Sequence, residues 1–213
     1  MKQMDLDIQI KRLQQDVLRM GALTEFSVVL AYQSLFEHNL AAADQIRQQD
    51  KQIDYYYRQI EQDCIRVIAL RSPVAQELRL ISTLMQLIRD LERIGDYAKD
   101  LAEVAMRMVI YPPPLELRRI QVMMQRCQLM LSHSLAALTE LDAEMGLRIK
   151  REDDAVDEDY SSLYATLAQQ SDIRGPIEPI LLMLLMIRYL ERLGDHSTNI
   201  GQRVAFIVTG QRQ

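Results

Sequence analysis

Four pairs of carboxylates, each spaced four residues apart, dominate the chemistry open to this chain of 213 residues. Asp50 and Asp54, Glu92 and Asp96, Asp153 and Asp157, and Glu191 and Asp195 each fall on one face if their segments are helical. They occur in the same order twice. Arg89-x-Leu-Glu-Arg-Ile-Gly-Asp96 recurs 99 residues later as Arg188-x-Leu-Glu-Arg-Leu-Gly-Asp195, and Asp50-Lys-Gln-Ile-Asp54 is echoed 103 residues later by Asp153-Asp-Ala-Val-Asp157. One turn beyond, Asp100 and Asn199 place another oxygen donor on the same faces. Oxygen-only sets of this density suit hard cations such as Mg²⁺, Mn²⁺, Ca²⁺ or iron. Like charges at this spacing cost an isolated helix roughly 0.2–0.5 kcal/mol per pair, so something must offset them. The offset is either a bound cation or the neighbouring Arg79, Arg89, Arg93, Arg188 and Arg192.

Other chemistries find little support. The formal net charge is −5, with no basic run, which is not the electrostatic footprint of a nucleic-acid binder. A ferritin-like di-iron site needs Glu-x-x-His, yet the residues three before His38, His133 and His196 are Leu35, Met130 and Leu193. There is no phosphate loop, zinc-type Cys/His spacing or nucleophile elbow. Cys64 and Cys127 stand alone in amphipathic segments and read as reduced core residues. The longest uncharged apolar run, Pro179 to Ile187, falls short of the ~20 residues of a membrane helix, and the start lacks a signal-peptide core. The expectation is a soluble cytoplasmic protein.

The elements that must position the carboxylates follow from the punctuation. Seven Gly and six Pro interrupt a 213-residue chain only at intervals, which predicts long helices and no strands. Leu6, Ile10, Leu13, Val17, Met20, Thr24, Val28, Ala31 and Leu35 make a bundle stripe, predicting a helix over about 4–38. Helices follow over about 42–70 and 73–110, the latter opened by Pro73 in its first turn. Tyr111-Pro-Pro-Pro114 then stops the chain. The pattern restarts with Ile120, Met124, Cys127, Leu131, Ser134 and Leu138, and continues in helices over about 144–170 and 176–208, separated by Ser171 to Pro176. The fold class is all-α: two tandem three-helix bundles related by a pseudo-twofold, residues 1–110 and 115–213, joined by the proline-rich linker 111–114. The second half is four residues shorter between its motifs, about one helical turn, which keeps the carboxylates facing alike if the loss lies in the hairpin. Gly95 and Gly194 each cost their helix about 1 kcal/mol, which a close approach by another helix, a metal or a partner would explain.

Leu91-Glu-Arg-Ile-Gly-Asp-Tyr-Ala-Lys-Asp-Leu-Ala-Glu103 and Leu190-Glu-Arg-Leu-Gly-Asp-His-Ser-Thr-Asn-Ile200, with Asp50-x-x-Ile-Asp54, Pro73-Val-Ala-x-Glu-Leu-Arg79 and Asp153-x-x-Val-Asp157, resemble the PhoU family over nearly the whole chain. That resemblance implies two helical bundles, a cytoplasmic and often dimeric protein, and no enzymatic activity. It also implies negative regulation of the phosphate-starvation response, linking the ATPase of the phosphate-specific ABC transporter (PstB) to the sensor histidine kinase (PhoR). Metal ions, iron, zinc, manganese or magnesium, would lie on Asp50, Asp54, Glu92, Asp96, Asp153, Asp157, Glu191 and Asp195, with Asp100 and Asn199 beside them. The alternative is a carboxylate-bridged metalloprotein with a redox or storage role. Asn199 in place of an acid, and Ile180-Leu181-Leu182 where the first half has Leu78-Arg79, set the two halves apart.

Overall fold

The computed structural model describes residues 2–171 and 175–211. Six helices follow one another: α1 Lys2–Phe36, α2 Leu40–Arg71, α3 Ala75–Met108, α4 Leu117–Glu140, α5 Ala143–Ala168 and α6 Glu178–Thr209. Among the described residues there is no strand, as the spacing of Gly and Pro predicts. The predicted stripe of α1 is its buried face: Val17, Met20, Thr24, Val28 and Ala31 are all essentially solvent-free. Cys64 and Cys127 are free and buried, as core residues should be.

Helix ends depart from expectation where local chemistry intervenes. Pro73 lies outside α3; the helix starts after Val74, whose N–H donates to Glu77 Oε2 at 3.0 Å, and the preceding Ser72 turns left-handed with φ 48°. At α6 the helix begins at Glu178 with Pro179 in the first turn, two residues later than Pro176 suggested. The break expected at Ser171 to Pro176 falls partly on residues 172–174, outside the described residues. Asp142 caps α5 by accepting from the Met145 N–H at 3.0 Å.

Helices α1 to α3 pack on one another, α4 to α6 do likewise, and the two bundles join through α3 against α6 and α1 against α4. Small residues set the closest approaches. Gly146 on α5 and Gly201 on α6 cross backbone to backbone, so that a Cβ on either would overlap the other's carbonyl oxygen. A Cβ at Gly95 would lie 3.0 Å from Ile53, and one at Gly194 3.1 Å from Asp153 Oδ1 and 3.4 Å from Val156. Ile53 and Val156 are repeat counterparts, so both motif glycines admit a neighbouring helix at the same place. The register holds on either side of the four-residue difference, which is therefore absorbed at the α5–α6 hairpin.

Candidate functional site

Each acidic face is built by the second and third helices of its bundle, and α1 or α4 anchors it from behind. Thr24 Oγ1 donates to the Leu91 carbonyl at 3.3 Å, and its counterpart Cys127 donates through Sγ to the Leu190 carbonyl at the same distance. Both acceptors directly precede the motif glutamate, so one contact made twice seats Glu92 and Glu191. The arginines repeat as closely. Arg93 lies 3.7 Å from Glu92 and 3.6 Å from Asp96, and Arg192 lies 3.6 Å from both Glu191 and Asp195.

The structure brings the expected carboxylates into mutual electrostatic reach. Burial first, then Asp96, Asp54 and Asp50, pushes the Glu92 carboxyl above its ordinary range, against a smaller pull from Arg93. Burial, Asp96, Glu103 and Asp50 raise Asp100, opposed by Lys99. In the second half burial and Asp195 raise Glu191, and burial, Asp153 and Asp195 raise Asp157, with Lys150 opposing the latter. Asn199 sits half-buried one turn beyond Asp195. No three His, Cys, Asp or Glu among the described residues form a group that could hold a metal ion.

Counter-charges other than the arginines decide how each face is balanced. Lys99 Nζ donates to Asp50 Oδ2 at 2.9 Å and Asp96 Oδ1 at 3.3 Å, bridging α2 to α3. Burial works against its charge, but these two carboxylates outweigh it and hold the ammonium above its usual value. In the second half the counterpart of Lys99 is Thr198, and Lys150 instead donates to Asp153 Oδ2 at 3.0 Å. Both lysines stand three residues from an acid on their own helix, a spacing readable from sequence. Arg79 packs instead against Gly210 at the end of α6, where a cation suits the C-terminal carbonyls.

Asp153 is 2% exposed, and its Oδ1 and the Thr198 hydroxyl are buried with no hydrogen-bond partner in the structure. An unpaired carboxylate oxygen in a dry environment is costly. The other oxygen of Asp153 is paired with the Lys150 ammonium, as Asp50 and Asp96 are with Lys99 in the first face.

Where the bundles meet, Asp90, only 3% exposed, accepts from Arg203 and is paired with His196 Nδ1 at 2.9 Å. Gln86 also accepts from Arg203. Tyr97 and Tyr189 stack there with centroids 6.0 Å apart. The 99-residue offset makes Tyr189 the counterpart of Asp90 and His196 that of Tyr97, so one pseudo-twofold contact is ionic and its mate aromatic.

The PhoU domain model matches this chain twice, at residues 17–105 and 120–204. A protein of Synechocystis sp. named phosphate-specific transport system accessory protein PhoU homolog is 54% identical over 204 residues, covering 96% of this chain and 91% of its own. A Pseudomonas aeruginosa protein of the same name is 34% identical, with 91% and 81% covered. Among solved structures, the crystal structure of PhoU from Pseudomonas aeruginosa superposes with a TM-score of 0.89 at 30% identity, covering 96% of this chain and 99% of that one. The phosphate transport system regulatory protein PhoU from Streptococcus pneumoniae gives 0.88 at 25% identity, with 98% and 99% covered. With both repeats matched and the duplicated acidic motif in register, the chain belongs to the PhoU family.

Proposed function

We propose that this protein is an accessory and regulatory component of phosphate transport. The observation that carries the reading is the 54% identity, across nearly the whole chain, to a protein named for that role. In finer terms it is a non-catalytic adaptor on the cytoplasmic side, acting as a homodimer between the transporter ATPase (PstB) and the sensor kinase (PhoR), and lowering the starvation response when phosphate is plentiful. No helix among the described residues is long and apolar enough to cross a membrane, so contact with the membrane would run through those partners.

The acidic faces are the docking chemistry of this reading. Glu92, Asp96, Glu191 and Asp195 are part-exposed and oriented by Arg93 and Arg192, which leaves them able to meet a cation or a basic partner surface. Asp50, Asp54 and Asp100 complete the first face; Asp153, Asp157 and Asn199 complete the second. A bound iron, zinc, manganese or magnesium ion would supply positive charge where the carboxylates crowd one another. An adaptor regulates only if it prefers one transporter state, so affinity for the two conformations must differ.

Capture of the transporter ATPase and the sensor kinase by the native protein and by the Glu92→Gln, Glu191→Gln double variant tests this, with metal content read on each sample. Capture of a partner by the native chain, lost in the variant, is the expected result. A deletion strain that still represses phosphate-scavenging genes in high phosphate would overturn the regulatory role.

A further inference from the structure

Helices α1 and α4 run antiparallel, with Gln121 donating to the Tyr32 hydroxyl near one end and Gly21 against Leu135 toward the other, and each end of the pair holds a cavity. The two cavities are pseudo-twofold mates. His38 after α1 and its counterpart Leu141 after α4 both turn left-handed, with φ 55° and 52°. Leu35, Met108 and Leu117 line one cavity with His38; their counterparts Leu138, Ile207 and Gln14 line the other with Leu141. The first measures about 40 Å³ and the second about 230 Å³.

The linker between the bundles accounts for the difference. Tyr111 and Pro113 line the small cavity, and the Tyr111 hydroxyl donates to Glu178 Oε2 at 2.6 Å, which fixes the ring. Carried past the ends of α3 and α6, the 99-residue offset makes Gly210 and Arg212 the counterparts of Tyr111 and Pro113. Gly210 brings no side chain, and a Cβ there would overlap the guanidinium of Arg79, which is itself the counterpart of Glu178. The linker thus fills one seat, and the matching positions carry neither an aromatic residue nor a proline for the other.

The open cavity is apolar with a basic edge. Val17, Leu84 and Leu138 in its lining are buried. Lys11 alone is charged among the described residues that line it, and no carboxylate among the described residues pairs with Lys11 or Arg79. The seat that is acidic beside Tyr111 is therefore basic beside Gly210. The 103-residue offset makes Lys11 the counterpart of Pro114, so an acid placed after a second proline comes level with it.

A polyproline segment is extended before it binds, so it brings apolar area to such a groove at little cost in chain entropy. We infer that the open cavity docks a partner protein through an extended segment in which an aromatic residue is followed by proline and then an acid. The aromatic ring and proline take the places that Tyr111 and Pro113 hold at the mate, and the acid answers Lys11.

Calorimetric titration of the full chain with an end-blocked peptide tests this assignment. The probe is Ile-Tyr-Pro-Pro-Glu, the linker's own stretch from Ile110 to Pro113 with a glutamate added. It should bind saturably, and Lys11→Glu should weaken it about fivefold, since an attractive charge pair becomes a repulsive one. Gln14→Trp, which fills the cavity from α1, should abolish binding in a chain whose circular dichroism is native. The same peptide ending in Gln should bind more weakly and be indifferent to Lys11→Glu. Absence of saturable binding overturns the site, as does equal binding of Ile-Ala-Gly-Gly-Glu or unchanged binding by both protein variants. A second copy of this chain is the competing occupant, and a dimer in analytical ultracentrifugation that Gln14→Trp dissociates overturns the partner segment. Should Gln14→Trp fail to fold, Lys11→Glu carries the test, since Lys11 is exposed. The probe is taken from this chain and not from a transporter or kinase, so failure here is distinct from failure of the adaptor reading.

Discussion

Replacing Lys99 by Met asks whether the first acidic face is balanced by its own ammonium. Methionine keeps the length and helix propensity of lysine but leaves Asp50 and Asp96 without the group that bridges them at 2.9 and 3.3 Å. Two unit charges about 3 Å apart in an effective dielectric of about 20 attract by about 5 kcal/mol. Lys99, Asp50 and Asp96 are 30%, 22% and 32% exposed, so solvent and hydration reduce the net to about 1–3 kcal/mol for the two contacts. At about 2–4 °C per kcal/mol for a chain of this size, the variant should melt about 2–12 °C below the native protein in chelator. Adding millimolar Mg²⁺ or Mn²⁺ should recover more in Lys99→Met than it adds to the native chain, because a cation then replaces the lost ammonium. Thermal unfolding followed by far-UV circular dichroism, in chelator and then in metal, reads both effects. A variant that melts with the native chain, or whose deficit divalent ions leave untouched, refutes the reasoning.

The closest helix crossing predicts an order among glycine variants. Gly201→Ala gains about 1 kcal/mol of helix propensity but drives its methyl into the Gly146 backbone, for a net loss of about 1–2 kcal/mol in urea unfolding. Gly95→Ala meets only the movable end of Ile53 at 3.0 Å and should fall within about 1 kcal/mol of native on the same balance of terms. At the bundle interface, Asp90→Asn removes the negative charge facing Arg203 while leaving it Gln86, and should cost about 1–3 kcal/mol by denaturant unfolding, while Tyr189→Phe, at the counterpart position, should cost well under about 1 kcal/mol. Glu92, Asp100, Asp157 and Glu191 all titrate above their ordinary values, so over that range the native state binds more protons than the unfolded chain. Their contribution to stability is complete below about pH 4, the unfolded value, and is lost as pH rises through the raised values. Subtracting the Glu92→Gln, Glu191→Gln profile from the native one should isolate a term that declines from acid toward neutral pH; a term rising with pH would mean that the folded state lowers these values instead.

Local chemistry makes the helices legible in the sequence. A three-four apolar period and a few prolines are local signals, and they place six helices with ends displaced by only a few residues. Pro73 shows why the ends slip: the Glu77 side chain capping Val74 outcompetes proline at the first turn. The carboxylates that share a face are readable for the same reason, since spacing of four is a property of one helix. Lys99 and Lys150 are equally readable from their spacing, but Lys99 stands where the second half has Thr198, whereas Lys150 corresponds to Arg47 and the duplicated arginines stand where both halves agree. The Asp90–His196–Arg203 cluster is not readable. It joins residues more than a hundred positions apart through the docking of two bundles, and nothing local encodes that docking.

What the duplication keeps and what it changes follow different physics. Contacts limited by backbone approach repeat almost unchanged, as with Gly95 on Ile53 and Gly194 on Val156, or Thr24 and Cys127 on matching carbonyls. These set how close two helices lie, and a close-packed interior tolerates little variation there. Counter-charges diverge. Lys99 becomes Thr198, an ionic interface pair becomes an aromatic one, and Arg12 and Arg66 have no charged counterpart. The two faces therefore display like carboxylates over unlike foundations. Lys99 already sits between acids of the first face, while the second buries Asp153 with one oxygen unpaired. Two motifs identical in their Glu-Arg-x-Gly-Asp core thus rest on different cations: Lys99 bridges α2 to α3 in the first face, whereas in the second Lys150 pairs with Asp153 on its own helix.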